Sequence, residues 1–390
     1  MAESLRIITT GLIGQYPLGG VAWDYIQYVL GFRRLGHDVY YFEDTGQSPY
    51  VPKLGGLSKD SEYTVSYLAD LMEHFGLTDR WAYHFPYPTP QWFGLSDHKR
   101  REIVESADLV VNISGTLARP EEYRSAKRMA FIDSDPVFTQ VKLARGHRDL
   151  QDWIDVHDIC FSFGETLPGN APATDYTWHP TRQPIVLDEW PRATGGREVL
   201  TTVMNWTSYK SLEHEGQTFG QKDMEFVKFL DLPGRVSPVE LEIAVNEGKT
   251  KRAPRELLAH KGWHVVNPDD VCGDFKSYRA YLSNSKAEWS VAKNGYVVGR
   301  CGWFSCRSAC YLAAGRPVVV QSTGFESVLP SDLGILAFTD IDSATRCIES
   351  LFRDYPRHSD AAVDIAKEYF DSDRVLQRII DTAGAAPTEH

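Results

Sequence analysis

From Gly299 the chain reads GRCGWFSCRSACYLAAGRPVVVQSTGFESVLP, a run whose residue types suit the binding of a diphosphate. The pattern predicts a short helix over Ser308 to Ala314, closed by Gly315, stopped by Pro317 and followed by a buried strand at Val318 to Val320. A helix start offers backbone N–H groups without partners and the positive end of the helix dipole. Ser305 and Ser308 would add hydroxyl donors, and Arg307 a charged, two-pronged one. The plainer alternative is that Ser308 only caps the helix and Arg307 is a solvated surface residue. Near the other end of the chain, GQYPLGGVAWDY places Gly19 and Gly20 at the head of a second helix, where a sugar or phosphate could approach closely or where only a tight turn is served. The dinucleotide fingerprint GxGxxG is not formed there. In FIDSDPVF, Asp135 ends a predicted strand with Asp133 beside it, which suits either a general base or ordinary turn chemistry before proline.

The elements that would hold these residues alternate between strand and helix. An apolar run at Leu5 to Leu12, a glycine-rich turn, helical spacing at Val21, Tyr25, Tyr28, Val29 and Phe32, then HDVYYFED form an opening βαβ unit. LVVNIS from Leu109 and RMAFID from Arg128 are further strands. Between Leu167 and Gly196 five prolines and paired glycines break the pattern, as an interdomain connection would. EVLTTVMNW, GWHVVNP, AEWSVAKN and RPVVVQ then restart it, and an amphipathic helix is expected from Ala361 to about Ile380. A chain of 390 residues exceeds one core. The reading is two Rossmann-like doubly wound domains, 1–180 and 197–360, facing a central cleft, with a helix and tail at 361–390 that returns to the first domain.

Composition narrows the function classes. Against 41 Lys and Arg stand 53 Asp and Glu, a net charge of −12 that opposes binding to nucleic acid or an anionic membrane. The six cysteines form no CxxC pair and read as reduced thiols of a cytoplasmic protein. The start lacks the pattern of a signal peptide, and no apolar run is long enough for a membrane span. His37, His179, His214 and His264 are not at zinc-ligand spacing, and neither a GxSxG elbow nor a P-loop is present.

The stretch from GWFS through LAAGRPVVVQSTGFES resembles the nucleotide-sugar segment of GT-B glycosyltransferases, similar to GWNST in the plant-type (family 1) signature and to EALACGTPV…GG.PE of the family 4 enzymes. The match covers about 30 residues. The resemblance implies transfer of a sugar from a nucleoside diphosphate sugar to an acceptor hydroxyl on a small molecule or glycan, with no metal and no cofactor beyond that donor. It implies that Thr323, Gly324, Phe325 and Glu326 lie by the donor, that Lys210 in the loop after the first strand of the second domain contacts its phosphates, that the base lies along Trp263 to Val266, and that Asp24 stands where inverting relatives place a base. One departure is plain: where those families place a ribose-binding Glu, this chain has Cys310, and a thiol cannot accept two strong hydrogen bonds. A sugar-nucleotide epimerase of the same fold and a non-catalytic sugar-nucleotide-binding protein are the rival readings. The aromatic stretch from Trp81 to Phe93 suits either a cover over the acceptor or buried packing.

Overall fold

Two mainly parallel sheets divide the chain, because two blocks of short apolar strands alternate with helices that cover both faces of each sheet. The computed structural model describes residues 4–246 and 252–386; the expected tail beyond 386 and the first three residues of the N-terminal segment lie outside them. The first sheet contains β1 (Arg6–Thr10), β2 (Asp38–Glu43), β3 (Trp81–Phe85), β4 (Gln91–Gly94), β5 (Leu109–Ile113), β6 (Met129–Asp133), β7 (Ile159–Ser162) and β8 (Trp178–Pro180). Their spatial order is β8-β7-β6-β5-β1-β2-β3-β4. The second contains β9 (Val199–Asn205), β10 (Glu240–Asn246), β11 (His264–Val266), β12 (Ala287–Ser290), β13 (Val318–Gln321) and β14 (Ile335–Phe338), in the order β11-β10-β9-β12-β13-β14. Each sheet therefore reverses direction beside its first strand, between β1 and β5 and between β9 and β12. Crevices at the carboxyl ends of such switch points are where ligands bind in this architecture.

Four helices matter for the site: α1 (Gly19–Arg34), α2 (Phe275–Ser283), α3 (Cys306–Ala313) and α4 (Ser372–Ala383). The first belongs to the first domain and packs on α2 of the second. A Cβ on Gly19 would come within 2.2 Å of the Asp274 carbonyl oxygen, so only glycine admits this contact. The Trp23 indole donates to the Phe275 carbonyl at 2.7 Å across the same seam.

Several elements differ from expectation. The amphipathic helix expected from 361 to 380 is two helices, Tyr355–Ile365 and α4, with a π-helical turn at Ala366–Phe370 and a break at Asp371. The break exists because residues 370–372 pair with the interdomain connection: Ile185 N–H donates to Phe370 O and Ser372 N–H to Ile185 O, at 2.7 and 2.9 Å. Asp371 then caps α4 through the Asp373 N–H. From there α4 lies along α1, with Leu376 filling the space above Gly31. The Trp81 to Phe93 stretch is an antiparallel hairpin at the sheet edge, where Trp92 stacks on His84 under the Arg100 guanidinium. Trp81, Tyr83 and Phe85 are buried, Tyr87 is exposed, and none of the stretch lines the cavity between the two domains. Trp263 is likewise buried, its indole donating to Leu230 O at 3.0 Å.

Candidate functional site in the interdomain cleft

A cavity of about 370 Å³ lies between the two switch points. Loops after β1, β5 and β6 wall it on one side, and loops after β9, β10 and β12 with the start of α3 on the other. Its volume is within the range of small-ligand pockets.

Two helices begin at this cavity, α1 with 16 residues and α3 with 8. Neither has a side-chain cap or an acidic residue in its first turn, so both present N–H groups and positive dipole ends. The second starts at Cys306, two residues earlier than expected, which makes Ser305 the cap position and leaves Ser308 inside the first turn. Ser305 and Arg307 line the cavity; the Ser308 hydroxyl is buried beneath it without a hydrogen-bond partner among the described residues.

Three cations converge here. The Arg307 guanidinium donates to Glu288 Oε1 at 2.7 Å and to Val203 O at 2.6 Å, which fixes it in place. Burial disfavours its charge, but Glu288 more than compensates and holds its pKa above the ordinary value. Lys293 is paired with Asp135 at 2.8 Å. Lys222, at the start of the Lys222–Phe226 helix, lines the cavity and makes no ion pair among the described residues. Burial, and then Arg307 and Lys293, push its pKa well below that of a free lysine. An anionic ligand would relieve that repulsion. Lys210, by contrast, is exposed and does not line the cavity. The hairpin formed by Leu212–His214 and Gln217–Phe219 carries the chain outward and back, so the cation that reaches the cleft is Lys222.

The two aspartates occupy different environments. Asp24, on the second turn of α1, lines the cavity with its carboxylate free of hydrogen bonds among the described residues. Burial raises its pKa to about 7, with Arg307 opposing the shift. Asp135 does not line the cavity. Its carboxylate accepts hydrogen bonds from Lys293, Tyr209 and Tyr296 of the second domain. Burial would raise its pKa, but Lys293 and these hydrogen bonds outweigh it and hold the group below the usual range. A carboxylate so saturated is a poor base and a good interdomain tie. Asp133 is turned away, bonded to Thr139 and Gln140. Asp135→Ala is expected to cost about 2 kcal/mol, because Lys293 keeps a half-buried charge without its partner. The urea midpoint measures this, and a loss below about 0.5 kcal/mol contradicts the tie.

Of the remaining expected residues, Gly20 lines the cavity and Gly19 is occupied by the α1–α2 contact. Thr323, Gly324, Phe325 and Glu326 stand behind the loop that leads into α3. The Thr323 hydroxyl donates to Trp303 O at 2.5 Å, and Gly302 N–H donates to Thr323 O at 2.9 Å. Gly324 has φ +91° with the Arg300 carbonyl 3.0 Å from its would-be Cβ, and Phe325 packs on Phe304. Glu326 has one buried carboxylate oxygen without a partner among the described residues. Cys310 is buried and accepts a long contact from Gln27 Nε2 at 3.8 Å.

This whole-chain arrangement is the GT-B fold, two Rossmann-like α/β domains with a cleft between them. Among solved structures, the chain is similar to an alpha-glucosyltransferase in complex with UDP, with TM-score 0.60 at 13% identity over 98% of this chain and 100% of that one. It is similar to HepE of Anabaena in complex with UDP and glucose, with TM-score 0.58 at 11% identity over 97% and 99%. A UDP-N-acetylglucosamine 2-epimerase is also similar, at TM-score 0.50 and 11% identity over 98% and 97%. No family model matches the sequence, and no curated protein does. Among the described residues, no helix is long and apolar enough to cross a membrane.

Proposed function

We propose that this protein is a glycosyltransferase that moves a sugar from a nucleoside diphosphate sugar to an acceptor hydroxyl, without a resident cofactor. The observation that carries the reading is the convergence of two helix starts without side-chain caps, Arg307, and Lys222, which makes no ion pair among the described residues, on one cavity. Such a focus of N–H donors and positive charge, with a bound anion favouring the charged form of Lys222, suits a diphosphate in the ground state and, more strongly, the charge that develops on it as it leaves. The UDP bound in the solved relatives supports a uridine nucleotide as the donor. Asp24 takes the acceptor proton, and closure of the two domains keeps water from the reacting carbon.

Removing Lys222 is the direct test. Lys222→Ala is expected to weaken UDP binding by about 10- to 100-fold, the value of one charge-assisted contact, with the melting temperature unchanged or raised because a half-buried lysine without an ion-pair partner among the described residues is lost. Calorimetric titration with UDP reads this, and an unchanged Kd contradicts the assignment. The epimerase reading is separated by NMR of a UDP-sugar incubated without acceptor, since an epimerised donor would replace the transferase.

A further inference from the structure

Opposite the cations, the first domain supplies a wall of different chemistry. Ser114 follows β5 and Ser134 follows β6, and both line the cavity beside Tyr25. The Ser134 hydroxyl donates to Ser114 Oγ at 2.6 Å. Ser114 has φ +59°, in the left-handed region that disfavours a residue with a Cβ. That conformation sets the bonded Ser114 and Ser134 hydroxyls beside Tyr25 on the cavity wall. Ile113 and Phe163 flank them with apolar surface. Among the described residues of the first domain that line the cavity, Asp24 carries the one charge, and no Lys, Arg or His is present.

We infer that this wall is the acceptor subsite and that its occupant is a neutral, polyhydroxylated ring, a sugar or cyclitol bearing neither phosphate nor carboxylate. The inference rests on the glycosyl-transfer reading above. Hydroxyls donate and accept, so these three match the hydroxyls of a ring in either sense, while the C–H faces of the ring pack on Ile113 and Phe163. An anionic acceptor would find no cation among the first domain's described lining residues and would lie beside the Asp24 carboxylate, which repels it. In the step itself the acceptor O–H bond breaks, its oxygen bonds to the anomeric carbon, and the bond from that carbon to the diphosphate oxygen breaks. The electron pair leaves on the diphosphate and the proton passes to the Asp24 carboxylate.

The test pairs neutral acceptors with their anionic counterparts, glucose and myo-inositol against glucose 6-phosphate and glucuronate. UDP release from UDP-glucose is followed, and UDP binding is titrated in parallel. A neutral acceptor is expected to accelerate UDP release where the anionic counterparts do not. Ser114→Ala/Ser134→Ala is expected to raise the KM for that acceptor about 10-fold, as for two lost hydrogen bonds, with the Kd of UDP within about twofold of wild type. The inference is overturned by an anionic acceptor that works as well as its neutral partner, by an unchanged KM in the double variant, or by bound UDP with no acceleration from any neutral ring. If UDP does not bind the wild type, the donor reading itself has failed, and the inference falls with it.

Discussion

Asp24→Asn is expected to lower kcat by about 10²- to 10⁴-fold, the ordinary contribution of a positioned general base, while the Kd of UDP stays within about threefold. The amide fills the same space but cannot accept a proton. The pH profile carries an independent signature. Asp24 must be ionised to act, and burial places its pKa at about 7, so kcat/KM is expected to rise through an acidic limb near that value. A bound diphosphate adds negative charge nearby, which moves the limb of kcat upward relative to that of kcat/KM. Stability runs the other way. A carboxyl whose folded pKa is raised favours the folded state below its unfolded value near 4, and that advantage is lost as pH rises through about 7. Asparagine mimics the protonated acid, so the variant should match wild type near pH 4 and exceed it at pH 8 by on the order of 1 kcal/mol, after allowing for the group's partial hydration. A fully active variant, or an acidic limb below pH 5, removes Asp24 from the chemistry.

Arg307→Ala is expected to destabilise the fold by about 3–5 kcal/mol at neutral pH, because it strands Glu288 as a buried charge. Glu288 is fully buried in β12, and its second carboxylate oxygen already lacks a hydrogen-bond partner among the described residues. Replacing both residues, as Glu288→Gln with Arg307→Met, is expected to recover most of the loss, since neither charge of the pair is then left without the other. Nucleotide affinity separates the two roles of the arginine: the double variant should regain stability and still bind UDP weakly. Urea unfolding and calorimetry read the two quantities, and a single variant that loses less than about 1 kcal/mol refutes the pairing argument.

What the sequence made legible was local. Gly315 and Pro317 announce the end of α3, and its start, expected at Ser308, lies two residues earlier, so the diphosphate candidate could be read from about 30 residues. The strands of both sheets that carry switch points are apolar and sharply bounded, so the two-domain alternation was visible too. Lys222 was not, because a hairpin separates it from the strand end whose loop it serves. The different fates of the two aspartates were also hidden. Asp135 is saturated by Lys293, 158 residues away, and no local pattern encodes a contact of that span. The grouping of Ser114, Ser134 and Tyr25 arises where two strand ends meet a helix, a juxtaposition set by sheet order alone. The break at Asp371 follows from pairing with Ile185, which overrides a periodicity that would otherwise continue as helix.

The packing of α4 on α1 has a consequence for how the protein is made. The first sheet is complete once Pro180 has left the ribosome, but the helix that covers Gly31 and its neighbours begins at Ser372. At about 5–20 residues per second, the intervening stretch takes roughly 10–40 s to synthesise. During that interval the nascent first domain holds an apolar face open, and the second domain is born before the first is finished. The two lobes thus share one assembly schedule, and a chain cut between them would leave the first lobe without its lid.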